Sequence, residues 1–290
     1  MFSVIESQTI APNVHILTVE APEVAASMRP GQFAILRAEE NGERIPLTPA
    51  DWDEKRGTLT FVAMIIGRTT RRIAELKAGE SIPTVTGPLG NPLQVENFGT
   101  VLCLGGCYGV ASIYGLMRAL KEKGNRVVAV VEAKSSGQFF WDEKLASVSD
   151  ELVYISRDGK RGLHGHVPEH LPAIIRSQPS SVDLVIVNGC NYLMKRTADT
   201  TLPLGIKTLV CLNTIMIDGT GMCGVCRVTV GGKMKFACVD GPYFDAHQVD
   251  WAELAKRRRS YLPEEAIPLR SSRGAPRRIQ TPLEILETRL

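Results

Sequence analysis

The sequence predicts a β-barrel plus α/β fold in three parts: an N-terminal antiparallel barrel, an α/β domain with a parallel sheet, and a small C-terminal hairpin subdomain. Three observations predict it. Residues 1–97 contain short apolar runs separated by Gly and Pro, residues 98–211 alternate strand and helix patterns, and residues 212–250 are rich in Gly and Cys. A chain of 290 residues is long enough for two domains with their own cores and an appendage.

The barrel is predicted from the Gly and Pro punctuation of its short strands, which is typical of small antiparallel barrels. Strands are expected at residues 14–21, 31–38, 57–66 and 80–87, and a short helix at residues 70–79. The pattern changes near residue 97, where we expect one architecture to give way to another.

The α/β domain begins with an apolar strand at residues 100–106, an amphipathic helix at 109–124 and a second apolar strand at 125–133. Strand, helix and strand in this order form a βαβ unit, whose two strands are parallel. Further strands, which extend the same sheet, are expected at residues 151–158, 181–189 and 206–213.

The composition, 44% hydrophobic and 22% charged, is that of an ordinary soluble globular protein, and no apolar run approaches the roughly 20 residues that span a bilayer. The N-terminus lacks the charged-then-apolar pattern of a secretory signal, so we expect a cytoplasmic protein. Because that compartment keeps thiols reduced, the seven cysteines are expected to bind metal or to be buried, rather than to form disulfides.

The net charge of +3 is concentrated at the C-terminal end of the chain. Residues 251–290 hold nine Lys and Arg against five Asp and Glu, whereas the rest holds 25 against 26. The body of the protein therefore lacks the basic footprint of a nucleic-acid-binding domain. Residues 251–290 are predicted to be a basic extension that is solvated or docks a partner, with nucleic-acid binding by this tail as the alternative.

The C-terminal part carries four candidate metal ligands: Asp218, Cys223, Cys226 and Cys238. A Cys-x2-Cys pair alone is shared by zinc sites and redox pairs. The Gly231-Gly232 pair between alternating runs predicts a tight hairpin, which places Cys238 opposite Val225 and therefore beside Cys226. We therefore expect the three thiolates to converge on one metal centre.

Asp218 stands where a plant-type [2Fe-2S] site, with its C-x4-C-x2-C spacing and distant fourth Cys, would have its first Cys. Carboxylate oxygen is a harder ligand than thiolate but is acceptable to iron, so Asp218 is the preferred fourth ligand and Cys211 is its rival. The alternatives are a zinc site that uses Cys211 with the other three cysteines, and purely structural cysteines. A zinc ribbon would normally offer a second Cys-x2-Cys pair, which this chain lacks.

Two segments of the predicted barrel carry a candidate flavin site. An Arg can bind a pyrophosphate through its guanidinium fork, and a glycine with hydroxyl neighbours can receive the same phosphates. Thr48 can hydrogen-bond a flavin ring nitrogen and is the catalytic candidate that would tune the flavin N5. Taken singly, each residue could equally mark a strand end or a turn. The candidate FAD ligands are Arg44, Pro46, Leu47, Thr48, Met64, Ile65, Gly67, Thr69 and Thr70.

A Gly-rich turn between the first α/β strand and its helix predicts a Rossmann-like dinucleotide site, because glycines let the backbone approach a pyrophosphate at a helix N-terminus. Its candidate residues are Gly105, Gly106, Tyr108, Gly109, Val110 and Ala111. Glu132 could accept ribose hydroxyls and favours NAD(H), whereas Lys134 favours NADP(H). A later turn with Gly189, Cys190 and Met194 is expected to flank the nicotinamide, although Cys190 could equally be a small buried residue.

The order of these motifs resembles that of the ferredoxin-NADP reductase superfamily, specifically subunits with a C-terminal [2Fe-2S] domain. It is most similar to the small subunits of NADH-dependent reduced ferredoxin:NADP oxidoreductases, also called sulfide dehydrogenase small subunits. The electron-transfer subunit of dihydroorotate dehydrogenase is a related family and an alternative. The resemblance covers residues 3–250 and is sharpest at 215–251, where Asp218 replaces the first cluster Cys, as it does in the first family.

The resemblance implies an FAD-binding barrel at residues 1–97, an NAD(P)-binding domain at 98–211 and a [2Fe-2S] subdomain at 212–250. It implies that the cluster faces a larger flavoprotein or iron–sulfur subunit. The expected activity is electron transfer between NAD(P)H, FAD and the cluster, to or from that subunit, with flavin-based bifurcation between ferredoxin and NADP as one form of it. A competing hypothesis, from a different class, is a zinc-stabilised binding module.

Overall fold

The computed structural model describes residues 1–106 and 108–261. The strands are β1 (Phe2–Ala11), β2 (Val14–Glu20), β3 (Phe33–Arg37), β4 (Ile45–Leu47), β5 (Pro49–Asp53), β6 (Thr58–Met64), β7 (Ser81–Ile82), β8 (Thr84–Leu89), β9 (Thr100–Gly106), β10 (Arg126–Ala133), β11 (Glu151–Ser156), β12 (Leu163–His164), β13 (Leu184–Asn188), β14 (Lys207–Cys211), β15 (Arg227–Val230), β16 (Lys233–Phe236) and β17 (Tyr243–Asp245). The helices are α1 (Pro22–Ser27), α2 (Arg68–Glu75), α3 (Gly109–Ser112), α4 (Tyr114–Glu122), α5 (Asp142–Ser147), α6 (Val167–Arg176), α7 (Asn191–Thr201) and α8 (Trp251–Arg258), with 3₁₀ turns at Ser136–Gln138 and Leu202–Leu204.

The N-terminal part consists of two antiparallel sheets. One has the strand order β5-β6-β2-β1-β7 and the other β4-β3-β8, and within the described residues they do not close into a barrel. The predicted strand at residues 80–87 is divided at Pro83 between β7 in one sheet and β8 in the other. Because proline has no N–H to give to a ladder, the chain changes sheets there. The two antiparallel sheets share one core, which includes Leu17, Leu36 and Phe61, and the finer description as a barrel stays a prediction.

The α/β part is a seven-stranded sheet in the order β12-β11-β10-β9-β13-β14-β17. All neighbouring pairs are parallel except β14 with β17, so the parallel sheet that the sequence predicts is confirmed. The chain leaves β9 toward β10 on one side and later returns to β13 on the other. The order reverses between β9 and β13, which is where open α/β sheets bind ligands at the carboxyl ends of their strands.

The C-terminal part is the β15–β16 hairpin followed by α8. The predicted solvated extension is corrected over its first residues, because α8 packs on the hairpin rather than into solvent. Leu254 is buried in the core shared with the α/β sheet, and the Trp251 indole donates to the Ala246 carbonyl at 3.0 Å. Trp251 and Leu254 are three positions apart, so both lie on one helix face. The rest of the predicted extension, residues 262–290, lies outside the described residues.

None of the helices described is long and apolar enough to cross a bilayer.

Candidate functional site

The Gly-rich turn lies at the switch point, where β9 ends and α3 begins directly against the end of β13. A Cβ on Gly109 would overlap the Asn188 carbonyl, and a Cβ on Gly105 would lie 2.9 Å from the Val110 Cα. Both positions therefore exclude any larger side chain. The structure brings the two predicted nicotinamide turns together at one edge of the sheet, as parallel strands require.

Side-chain hydrogen bonds connect these two turns to each other and to neighbouring residues. The Tyr108 hydroxyl donates to the Gly189 carbonyl at 2.8 Å and accepts from the Asn213 amide at 2.6 Å. The Asn188 side chain donates to the Ser112 hydroxyl at 3.0 Å and accepts from the Tyr243 hydroxyl at 2.9 Å. The protein's own hydrogen bonds thus fix this edge of the sheet.

The predicted residues of these turns differ in what they expose. Val110, Ala111 and Met194 are buried in the core, so any contact they make with a ligand passes through the backbone. Cys190 is half-buried at the N-cap of α7, between Gly189 and the helix.

Glu132 does not present the free carboxylate that the sequence predicts for ribose binding. The residue is 7% exposed, and its Oε2 accepts from the Val167 N–H at 3.0 Å. Its Oε1 lies 3.1 Å from His166 Nδ1 and 3.9 Å from Arg157 Nε. Because protein groups contact both oxygens, Glu132 anchors the N-terminus of α6, and its binding of ribose hydroxyls stays a prediction that would use the remaining acceptor capacity of the carboxylate. Lys134 is exposed in the loop that follows β10.

The two flavin motifs lie side by side. Residues 44–48 include β4, and Thr48 stands where the chain passes from the three-stranded sheet to β5 in the five-stranded one. The Thr69 hydroxyl donates to Glu43 Oε2 at 2.8 Å, which ties the start of α2 to the segment before β4. The Thr70 hydroxyl accepts from the Gly67 N–H at 3.0 Å.

This region has two features that suit an anionic group. A Cβ on Gly67, the N-cap of α2, would meet no atom within 4 Å, so the helix N-terminus is open. In the next turn, Arg71 Nη2 is buried with no hydrogen-bond partner among the described residues. An unpaired buried guanidinium nitrogen in the first half of a helix whose N-terminus is open is compatible with an anionic ligand.

The hairpin brings two of the predicted metal ligands together. Cys226 Sγ and Cys238 Sγ are 3.2 Å apart, and both residues are 1% exposed. Arg227 pairs with Phe236, and the Ala237 N–H donates to the Cys226 carbonyl at 3.1 Å. This register confirms the predicted hairpin. Burial, followed by the hydrogen bond and the like charge shared with the Cys226 thiol, raises the pKa of Cys238 to about 12.

The other two predicted ligands lie on a glycine loop. Cys223 is exposed between Gly221 and Gly224, whose φ angles are 86° and 66°. Within the described residues no three His, Cys, Asp or Glu side chains are grouped closely enough to hold a metal ion. The predicted convergence of three thiols is therefore confirmed for Cys226 and Cys238 only. The left-handed glycines on either side turn Cys223 outward.

The Asp218 carboxylate accepts several hydrogen bonds from within this loop and so fixes its shape. The carboxylate accepts from the Thr220 hydroxyl at 2.7 Å, the Thr220 N–H at 3.0 Å and the Met222 N–H at 3.2 Å. These bonds, led by the Thr220 hydroxyl, lower the pKa of Asp218, and the nearby Arg44 guanidinium lowers it further. Cys211, its rival, lies in β14 opposite Tyr243, where burial raises the pKa of its thiol to about 12.

Residues 218–226, called the metal-ligand loop below, pack against the three-stranded sheet that contains β4 of the flavin motif. A Cβ on Gly219 would lie 3.0 Å from side-chain atoms of Ile35 in β3 and Leu89 in β8. The Asn91 amide, just beyond β8, donates to the Val239 carbonyl at 2.9 Å. The metal-ligand loop therefore packs on the same small sheet to which β4 belongs.

Sequence reasoning missed several residues of this site. Glu43, His166, Asn213 and Tyr243 each complete a hydrogen bond to a residue that the motifs had selected or to its neighbour in the turn. Three of these four partners are at least 34 positions away in the chain, and no local pattern marks them.

Comparison with known proteins agrees with this geometry. Residues 213–250 match the iron-sulfur cluster binding domain of dihydroorotate dehydrogenase B. The chain is 40% identical over 264 residues to a homologue of the dihydroorotate dehydrogenase B electron transfer subunit from Thermotoga maritima, covering 91% of this chain and 93% of that one. It is 26% identical to the electron transfer subunit itself from Enterococcus faecalis, covering 86% and 97%.

Solved structures extend this result. A chain from the structure of an NADH-dependent reduced ferredoxin-NADP oxidoreductase superposes with a TM-score of 0.86 at 39% identity, covering 92% of this chain and 96% of that one. A ferredoxin NADP+ reductase from Neisseria gonorrhoeae superposes with a TM-score of 0.57 at 18% identity, which shows a shared fold alone. The chain therefore belongs to the family of dihydroorotate dehydrogenase B-type electron transfer subunits, within the ferredoxin-NADP reductase-like oxidoreductases.

Proposed function

We propose that this protein passes electrons between NAD(P)H, an FAD and a [2Fe-2S] cluster, to or from a larger flavoprotein or iron–sulfur subunit. The observation that carries the proposal is the packing of the metal-ligand loop on the small sheet that holds the flavin motif. Residues 1–97 would bind FAD, 98–211 the nicotinamide, and 212–250 the cluster. The protein would be cytoplasmic, in keeping with the absence of disulfides among the described cysteines.

Cys226, Cys238, Cys223 and Asp218 would hold the cluster, which supplies a one-electron carrier when bound. Cys226 Sγ and Cys238 Sγ, 3.2 Å apart, would move apart by about 0.6 Å to become two ligands of one metal ion, since bonds of about 2.3 Å in a tetrahedral site separate sulfurs by about 3.8 Å. Cys223 and Asp218 would complete the donor set through movement of the glycine loop. Cys223 is exposed and Asp218 is half-buried, so both side chains can reach a metal from the solvent side of the loop.

FAD would be held at the open N-terminus of α2, and when bound it supplies the exchange between two-electron and one-electron carriers. Arg44, Gly67, Thr70 and the unpaired Arg71 would bind its pyrophosphate. The ring-lining candidates are Pro46, Leu47, Met64, Ile65 and Thr69. Thr48 would hydrogen-bond the flavin ring from the crossover between the two sheets.

The dinucleotide would lie across the switch point between β9 and β13. Gly105, Gly106 and Gly109 would let its pyrophosphate approach the backbone, with Tyr108 fixing the turn through its hydroxyl. Gly189 and Cys190 would flank the nicotinamide. Lys134 would lie near the adenosine end of the ligand.

The partner subunit would cover the exposed face of the metal-ligand loop. Two large apolar residues of the same loop as Cys223 are exposed, Met222 to 88% and Ile217 to 51%, and Val239, which lies against Gly221, is 42% exposed. Exposed apolar side chains next to a redox centre favour a protein contact. We extend the proposal to flavin-based bifurcation with ferredoxin and NADP, the activity associated with the structure at 39% identity.

The experiment is anaerobic reduction of the purified holoprotein by NADH, followed by stopped-flow absorbance and by EPR of frozen samples. Flavin bleaching followed by the signal of a reduced [2Fe-2S] cluster is the expected result. Thr48→Ala should slow the bleaching step while leaving flavin and iron contents unchanged. A holoprotein whose flavin is reduced while the cluster stays oxidised would contradict the relay.

A further inference from the structure

A small pocket lies behind the metal-ligand loop, between that loop and α8. Its volume is about 210 Å³. A water molecule occupies about 30 Å³ of the liquid, so the pocket has room for a tetrahedral anion with some of its hydration. Val225, which lies between Cys223 and Cys226, forms part of its wall.

Three arginines line this pocket, Arg227, Arg257 and Arg258, and none of its lining residues in the described part of the chain is acidic. None of the three forms an ion pair with any residue in the described part of the chain. Arg257 Nη2 donates to the Val225 carbonyl at 2.9 Å and Arg227 Nη1 to the Gly224 carbonyl at 3.3 Å. Since each guanidinium has five N–H donors, these two bonds position the side chains and leave most of their donors unused.

Thr214 supplies an independent observation. It lines the same pocket and is 9% exposed, yet its hydroxyl is buried without a hydrogen-bond partner among the described residues. Buried hydroxyl groups are almost always paired in native proteins, so one left unpaired in a polar pocket indicates a missing acceptor or donor. An unpaired hydroxyl and three arginines around one pocket suit an anion that has several oxygens.

We propose that this pocket binds a phosphate group. Three positive charges exceed what one carboxylate can neutralise, whereas a phosphate dianion offers several acceptor oxygens to the arginines and Thr214. The same chemistry is offered by inorganic phosphate and by the phosphate of a small nucleotide. On the proposed function, a dianion against Val225 would lower the reduction potential of the adjacent cluster, because negative charge disfavours an added electron.

Binding is tested on the full-length protein in phosphate-free buffer by isothermal titration with inorganic phosphate and, separately, with AMP. Saturable binding of one ligand per chain is expected, weakened about tenfold or more in Arg258→Gln by loss of a charge-assisted contact. Arg259→Gln is the matched control, because Arg259 is the next residue and does not line the pocket. Thr214→Val, which keeps the shape and removes the hydroxyl, should also weaken binding.

The possible outcomes distinguish a site for inorganic phosphate, a site for a nucleotide and the absence of a site. Phosphate binding that Arg258→Gln weakens identifies an inorganic ligand site, and AMP binding that is at least tenfold tighter and is weakened by the same variant identifies the nucleotide as the source. Absence of saturable binding for both ligands, or equal weakening by Arg258→Gln and Arg259→Gln, overturns the proposal.

An EPR-monitored redox titration with and without phosphate tests the effect on the cluster. The expected result is a lower midpoint potential with phosphate in the parent protein, and no shift in Arg258→Gln. A protein that lacks a [2Fe-2S] signal while still binding phosphate would contradict the proposed function and leave the binding site standing. An unchanged potential despite saturating phosphate would overturn the coupling.

Discussion

The four proposed metal ligands form two pairs, which differ in how much of their geometry the protein determines without a metal. Cys226 and Cys238 lie at the base of a hairpin whose backbone ladder sets their register and buries both thiols. Cys223 is exposed on a loop shaped by left-handed glycines and by the hydrogen bonds of Asp218. The difference teaches that the fold preorganises one pair of the proposed ligands, whereas the other pair would depend on the metal centre to gather it.

The largest expected effect follows removal of a preorganised ligand. Cys238→Ser should lose nearly all iron and sulfide, because it leaves Cys226 without its neighbouring thiol. The matched control is Cys211→Ser, which should retain full iron content because Cys211 lies in the β14 ladder. Iron and acid-labile sulfide analysis measures both. Loss of the cluster in Cys211→Ser would transfer the fourth-ligand role from Asp218 to Cys211.

On the loop side, Asp218→Cys should keep the cluster and change its potential. A thiolate donates more electron density than a carboxylate, so a decrease on the order of 100 mV is expected, in the direction that separates thiolate-ligated clusters from those with other ligands. An EPR-monitored redox titration gives the value. An unchanged midpoint would mean that Asp218 does not contact the metal.

The turn of the hairpin tests how much the left-handed backbone of its glycines contributes to the stability of the protein. Gly232 has φ of 72°, and a Cβ there would meet no atom within 4 Å, so Gly232→Ala adds backbone strain without a clash. The free energy of unfolding should fall by about 1–2 kcal/mol. Gly232→Asn, which tolerates the left-handed region, should lose less. Equal losses in the two variants, measured by urea denaturation, would argue against strain as the cause.

The smallest effect is expected at the junction between the sheet regions. Asp51 in β5 accepts from Arg118 in α4 at 2.6 Å and from Lys144 in α5 at 2.8 Å. Asp51→Asn should lower stability by about 1 kcal/mol, since all three side chains are partly exposed and screened. Iron content should stay constant. Glu54→Gln, at an exposed 3.9 Å pair, is the control and should leave the melting temperature unchanged.

Local patterns predicted the features that local chemistry determines. The apolar run at residues 100–106 coincides with β9, and the Gly231-Gly232 pair gave the hairpin register that places Cys238 beside Cys226. The division of the strand predicted at residues 80–87 was not foreseen, because it depends on which strands pair on either side of Pro83.

Long-range contacts account for the remaining differences from prediction. Glu132 was expected to be free, but its partner His166 lies 34 residues away. The three-residue strand β17 was not predicted, because only its pairing with β14 makes it a strand. Charge alone suggested a solvated tail from residue 251, whereas two apolar residues, Trp251 and Leu254, hold α8 on the hairpin.

The cofactor content of protein purified without oxygen tests the central claim most directly. Iron, acid-labile sulfide, zinc and flavin are measured on one sample beside its visible spectrum. The expected result is two iron, two sulfide and one FAD per chain, with the colour of a flavin and a [2Fe-2S] cluster. Colourless protein that contains zinc and lacks flavin would contradict the electron-transfer account and favour a zinc-stabilised binding module.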